Sequence, residues 1–256
     1  MGDNAARRSA ELAALREGIA LGLTLIDTAE MYGDGRSESL VGEAIAGRRD
    51  ELFLVTKVLP SNASRKGVVR SCEASLGRLR TDRVDLYLLH WMGSHPLAET
   101  LRGFEDLLAA GKIRSWGVSN LDPPEMAKLV RLPGGRACAA DQVLYNLSRR
   151  GIEYDLLPWC AKNKICVMAY SPVEQGRILG NQALRQVAQR LGATPAQVAL
   201  AWTLRHPNVV AIPKAATLAH VRENRKALDL SLDAAALAAL DQAFSAPQGA
   251  QPLEMI

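Results

Sequence analysis

The chain has 256 residues, of which 48% are hydrophobic and 23% charged, with a formal net charge of +4 and a pI near 9.0. This composition excludes a disordered or fibrous chain, and the length suits one α/β domain with a single large core. Lys and Arg never run beyond two together and aromatics reach only 5%, so no nucleic-acid surface is expected; a diffuse positive excess instead suits a small anionic ligand.

In chain order, a polar segment with helical period spans residues 5–21, with no strand before it. Nearly continuous apolar runs follow at 23–28, 52–57, 84–90, 115–120, 140–145, 166–171 and 209–214, the pattern of strands buried on both faces. Helix-period segments separate them, including SESLVGEAIAGR, VVRSCEASLGRL, LAETLRGFEDLLAAG and ATPAQVALAWTLRH. Ser37 and Thr194-Pro195 read as helix starts, and Gly111 as a helix stop. An extra loop and helix are expected over 174–191, a place suited to covering a cofactor. The tail SAPQGAQPLEMI either folds back or hangs free.

Such alternation is the βα repeat of a parallel barrel or a doubly wound sheet, read here as one domain over residues 1–256. A closed barrel of this kind needs eight strands, and seven are legible. No apolar run reaches membrane length and the N-terminal stretch has no apolar signal core, so the reading is cytoplasmic, with no membrane partner. Cys72, Cys138, Cys160 and Cys166 form no C-x-x-C pair and no metal spacing, which points to buried thiols and no metal site.

Four residues carry the chemistry. Asp27, Tyr32, Lys57 and His90 fall at or just past the C-terminal ends of three consecutive runs, LTLIDTAEMYG, LFLVTK and VDLYLLHW. A carboxylate, a phenol, an amine and an imidazole meeting at one end of a parallel barrel suit proton transfer to or from an oxygen. A phenol has a reference pKa of about 10, so it needs an adjacent cation to act near neutrality. Lys57 is placed to be that cation, and Asp27 to hold it charged. Singly, each has a plainer reading: a helix cap, a packed loop aromatic, a solvated strand end, a core histidine. Their joint position at strand ends outweighs those readings. His95 and His206 read as surface or helix-end residues, Trp116 and Trp159 as core, and Tyr145 and Tyr154 as packed.

DTAEMYG, Thr56-Lys57, LLHW, GKIRSWGVSN, DQVLYN, AYSP and IPKAATLAHVREN occur in the order and spacing of the aldo-keto reductases, a resemblance that spans essentially the whole chain. It looks closest to bacterial members acting on methylglyoxal and similar small aldehydes. The resemblance implies a (β/α)8 TIM barrel with an open cleft, although the family's opening hairpin and first strand have no counterpart here, so the chain reads as N-terminally truncated. It implies that Tyr32 is the proton donor, assisted by Lys57 and Asp27, and that His90 orients the substrate carbonyl beside Trp91. Ser119, Asn120 and Gln142 would hold the nicotinamide carboxamide, and Tyr170 would stack on its ring. Ser171 and Pro172 would begin the pyrophosphate loop. Ile212, Pro213, Lys214, Thr217, His220, Glu223 and Asn224 would hold the adenosine end. NADPH is expected over NADH, with Lys214 as the phosphate partner and His220 where many relatives carry Arg.

The implied reaction is reduction of a small carbonyl substrate to an alcohol. Two alternatives stand beside it: a Schiff-base aldolase using Lys57, and a non-catalytic subunit that binds the cofactor as a ligand. An inactive fragment is the plainest possibility. Nothing in the sequence specifies an oligomeric state.

Overall fold

All seven apolar runs become strands in the computed structural model, which describes residues 1–2 and 5–256. The chain divides into two compact units, Met1–Ala140 with Ala215–Leu218, and Asp141–Lys214 with Ala219–Ile256.

In the first unit the elements are α1 (Arg8–Ala20), β1 (Leu25–Asp27), α2 (Arg36–Ala44), β2 (Phe53–Val58), α3 (Arg65–Leu79), β3 (Val84–Leu89), α4 (Leu97–Ala109), β4 (Ile113–Ser119) and α5 (Pro123–Leu129). β1 pairs with β2, β2 with β3 and β3 with β4, all parallel. Every residue of β3 is buried, as is all of β2 after Phe53, so both faces of the sheet are covered. The aromatic core is local: the Phe104 ring stacks on Trp116 at 5.3 Å and meets Tyr87 edge-on at 5.8 Å. Full burial of side chains of this size stabilises the unit by roughly 1.5–3 kcal/mol each.

Helix ends follow local chemistry. Ser64 caps α3 by accepting from Gly67 N, and Asp122 with Glu125 forms a reciprocal capping box on α5. Gly111, at φ +70°, follows the cap residue Ala110 and stops α4, as read from sequence. The α2 start differs from expectation. Gly35, not Ser37, is the cap, because its left-handed φ of +79° turns the chain out of the preceding loop. Ser37 lies inside the helix, where its hydroxyl accepts from Thr28 Oγ1 at 3.0 Å.

β5 (Cys138–Leu144) crosses the division of the chain. The second unit continues with α6 (Leu156–Lys162), β6 (Cys166–Tyr170), α7 (Gln182–Arg190), α8 (Pro195–Thr203), β7 (Val209–Ile212), α9 (Leu218–Lys226, most of which lies here) and α10 (Ala234–Ala243). β6 and β7 pair parallel. The expected extra segment is a 3-10 turn at Glu174–Gly180, broken by left-handed Gln175 and Gly176, followed by α7. Thr194 caps α8 in a capping box with Gln197, as expected.

A charged knot organises this unit. Tyr145 donates to Glu153 at 2.7 Å and accepts from Arg205 at 2.9 Å, while the Arg205 guanidinium lies 3.6 Å over the Trp202 ring. The tail does not hang free: Glu254 pairs with Arg149. Two packing expectations change: Trp159 is only half-buried and Tyr154 is 52% exposed. His206 lies just past the end of α8, half-buried, its imidazole pushed down in pKa first by burial. The amphipathic helix spacing of YDLLPWC buries Leu156, Leu157 and Cys160 instead of the aromatics. Cys72, Cys138 and Cys160 are buried outside any disulfide, whereas Cys166 is only half-buried at the start of β6, and burial pushes Cys72 up to about 12. Among the described residues, no helix is long and apolar enough to cross a membrane.

Candidate active site

Strand periodicity alone puts three of the four residues on one face. Asp27 on β1 lies opposite Val55 on β2, and Lys57 is two residues beyond Val55. Lys57 lies opposite Leu88 on β3, and His90 is two residues beyond Leu88. Because side chains alternate, Asp27, Lys57 and His90 therefore project to the same side, while Thr28 and Thr56 project to the other. His90 stays in register past the end of its strand because its N–H donates to Val58 O at 3.0 Å.

Tyr32 arrives from the loop between β1 and α2. Its carbonyl accepts from Ser37 N at 3.2 Å, and its own N–H donates to Ala29 O at 3.1 Å. Glu30 ties the same loop to the segment after β2, accepting from Leu59 N at 2.6 Å and Asn62 Nδ2 at 3.1 Å.

Lys57 is fully buried, so its charge must be compensated locally. The ammonium has three N–H donors, and three acceptors surround it: Asp27 Oδ2 at 2.7 Å, Thr28 O at 2.8 Å and Tyr32 OH at 3.4 Å. Nζ also sits 4.8 Å from the Tyr32 ring centroid. The Tyr32 and His90 rings meet edge-on at 5.6 Å, and Trp91 lies 4.8 Å from His90.

His90 is 7% exposed. Burial, and secondly the Lys57 ammonium, push its imidazole down to about 3. The ring is therefore neutral near pH 7 and keeps one N–H to donate. A phenol touching a cation, with a neutral N–H donor beside it, can hand a proton to a carbonyl oxygen.

The other expected residues divide between the units. Ser119 is buried at the end of β4, and Asn120 follows in the left-handed region at φ 60°. Asn120 Nδ2 donates to His90 O at 3.2 Å and to Ser119 Oγ at 3.1 Å, so part of its amide already joins the two strand ends. Thr217 also belongs to this unit and is exposed.

In the second unit Gln142 is buried on β5, and Tyr170 ends β6 half-buried. Ser171 is left-handed at φ 48°, and its carbonyl accepts from Asn146 Nδ2 at 2.9 Å. Pro172 is buried, and the next turn is held by Glu174, which accepts from Asn146, Arg149 and Arg177. Ile212 ends β7 and Pro213 follows; Lys214 is exposed, as is His220 on α9. Glu223 and Asn224 are half-buried on α9. Glu223 is also engaged with the start of α8, accepting from Thr194 Oγ1 at 2.5 Å.

Sequence reading missed the Thr28 carbonyl, which has no side-chain signature, and Glu30, Asn146 and Glu174, which look like ordinary loop polar residues. Only the position of Glu30 within the DTAEMYG run offered a signal. No group of three or more His, Cys, Asp or Glu able to hold a metal ion occurs among the described residues.

Comparison with known proteins is consistent across sequence and structure. The profile described as the Aldo/keto reductase family matches residues 2–244. The chain is 54% identical over 261 aligned residues to methylglyoxal reductase YeaE of Escherichia coli (strain K12), covering 100% of this chain and 92% of that protein. It is similar to an aldo/keto reductase from Klebsiella pneumoniae solved in complex with NADP and acetate, with a TM-score of 0.99 and 52% identity over 100% of this chain and 92% of that one. A second Klebsiella pneumoniae structure, in complex with NADPH, matches with a TM-score of 0.98 and 52% identity over the same shares. The fold class is accordingly the α/β barrel of these structures, with seven parallel strands among the described residues.

Proposed function

The chain belongs to the Aldo/keto reductase family, and from that premise we propose that it reduces small aldehydes and ketones, including 2-oxoaldehydes such as methylglyoxal, to alcohols with NADPH. The observation that carries this reading is the buried Lys57 ammonium, shared among Asp27, the Thr28 carbonyl and the Tyr32 hydroxyl.

The expected cofactor residues suit a nicotinamide dinucleotide in kind. Ser119, Asn120 and Gln142 offer a hydroxyl and amides for a carboxamide; Tyr170 offers a ring face; Lys214 offers an exposed positive charge for phosphate. Ser171 and Pro172 would border the pyrophosphate, and Ile212, Pro213, Thr217, His220, Glu223 and Asn224 the adenosine end. NADPH, when bound, supplies the hydride.

The protein's own part is positioning and the proton. His90, neutral, donates its N–H to the substrate carbonyl oxygen and aims that oxygen at Tyr32. Tyr32 gives its hydroxyl proton to the same oxygen as charge develops there. Lys57 donates to the phenol oxygen and stabilises the phenolate left behind, until a proton from solvent restores it. Asp27 and the Thr28 carbonyl keep Lys57 aimed. Trp91 supplies an apolar wall. A Schiff-base role would need a Lys57 amine with a free lone pair, whereas its three N–H directions are already spent on acceptors.

The test is NADPH oxidation with methylglyoxal by the parent and Tyr32→Phe, alongside NADPH binding. Turnover should vanish in the variant while binding persists. Parental turnover by Tyr32→Phe would sink the proton-donor assignment. Tight NADPH binding by the parent without turnover of any aldehyde would favour a binding role.

A further inference from the structure

A second polar chain runs behind the four residues, on the opposite face of β1 and β2. Thr28 and Thr56, pointing away from Asp27 and Lys57, face the first turn of α2. Thr28 Oγ1 donates to Ser37 Oγ at 3.0 Å, and Thr56 Oγ1 donates to Glu38 Oε1 at 2.5 Å. The other Glu38 oxygen accepts from Arg78 Nε at 2.6 Å, and Arg78 Nη2 donates to Ser75 Oγ at 3.1 Å. Thr28, Glu38 and Thr56 are fully buried.

Burying the Glu38 carboxylate is costly even with the half-exposed Arg78 guanidinium beside it, and apolar residues of similar volume join a helix to a sheet at least as well. What apolar residues do not supply is direction. The first turn of α2 grips three things at once: the Tyr32 carbonyl through Ser37 N, β1 through Thr28, and β2 through Thr56. Thr28 also lends its carbonyl to Lys57, and Thr56 immediately precedes Lys57. One helical turn therefore fixes the relative heights of the phenol, the carbonyl and the ammonium. The contact that depends on this most is Lys57 Nζ to Tyr32 OH, at 3.4 Å near the outer limit of a hydrogen bond.

We propose that Glu38, anchored by Arg78 and bonded to Thr56, is a positioning residue that holds Tyr32 and Lys57 in register for proton transfer from behind the sheet. The proposal rests on Tyr32 as proton donor, so Tyr32→Phe serves as the reference for that reading.

The experiment compares parent, Thr56→Val, Thr56→Ser, Glu38→Gln and Tyr32→Phe for kcat and KM with methylglyoxal, solvent deuterium isotope effect on kcat, NADPH Kd and unfolding midpoint. Thr56→Val removes the donor at nearly constant volume. It should lower kcat by about tenfold or more, the scale expected for misplaced catalytic groups, with KM and Kd little changed and a larger isotope effect. Thr56→Ser should restore kcat. Glu38→Gln should behave like Thr56→Val; if it does not fold, the Thr56 pair decides alone. A lowered unfolding midpoint with parental kcat and isotope effect in Thr56→Val would overturn the proposal, leaving Glu38 a structural joint. Parental turnover by Tyr32→Phe would instead overturn the reading beneath it.

Discussion

Lowering the pH from about 8 to about 5 should destabilise the protein through His90 by an amount the structure sets. The buried imidazole titrates at about 3, against 6.5 for an ordinary one. The folded value lies below the unfolded value, so the unfolded chain takes up this proton first. Stability is whole above about pH 6.5 and drains away as the pH falls toward about 3, where the folded ring begins to protonate too. At about pH 5 the loss covers roughly 1.5 pH units at about 1.4 kcal/mol each, or about 2 kcal/mol. Every carboxylate also contributes to acid unfolding, so the parent alone is not diagnostic. The assay is urea unfolding of parent and His90→Gln at each pH, because Gln keeps a polar side chain but binds no proton. The difference between the two free energies should shrink by about 2 kcal/mol from about pH 8 to about pH 5. A difference that stays constant, or grows, would refute a neutral buried His90. The same reasoning predicts that the kcat profile shows no limb from His90 protonation across that range.

Other perturbations reach different parts of the chain. Asp27→Asn leaves the Lys57 ammonium buried without its anion and should cost about 3–5 kcal/mol in urea unfolding, together with most of the turnover. Lys214→Met should raise the Kd for NADPH by about tenfold, leaving NADH nearly unchanged, since a phosphate contact of this kind is worth about 1–2 kcal/mol; equal weakening of both cofactors in fluorescence titration would contradict the assignment. Gly117→Ala puts a methyl carbon against the Ala140 carbonyl oxygen, closer than van der Waals contact allows, so the backbone must shift, and the unfolding midpoint should fall by several degrees in a thermal scan.

Much of the architecture was legible because it depends on local rules. Runs such as LFLVTK and VDLYLLH declare doubly buried strands by composition, and β2 and β3 fall within a residue or two of them. Thr194-Pro195 declares a helix start because the cap needs only its own side chain and the next turn. The alternation of strand side chains even implies that Asp27, Lys57 and His90 share a face once strand order is known. Edges were less legible: β1 keeps only Leu25–Asp27 of its expected run, because pairing with β2 begins and ends there.

Other features belong to tertiary structure alone. Ser37 has the chemistry of a helix cap, yet Gly35 takes that place and Ser37 turns to Thr28, a partner on another element. Tyr154 reads as packed and Trp159 as core, yet Tyr154, before α6 begins, is exposed, and Trp159 is half-covered because α6 turns Leu156, Leu157 and Cys160 inward. The third acceptor around Lys57 is a main-chain carbonyl, which every residue carries and no sequence distinguishes. Nothing in the sequence singles out Glu38, which packing buries between Thr56 and Arg78. Sequence by itself determined which residues carry chemistry and how strands and helices alternate, since propensity and periodicity act over a few neighbouring residues. Tertiary structure decided what each polar group touches, because burial and hydrogen-bond partners come from segments distant in the chain.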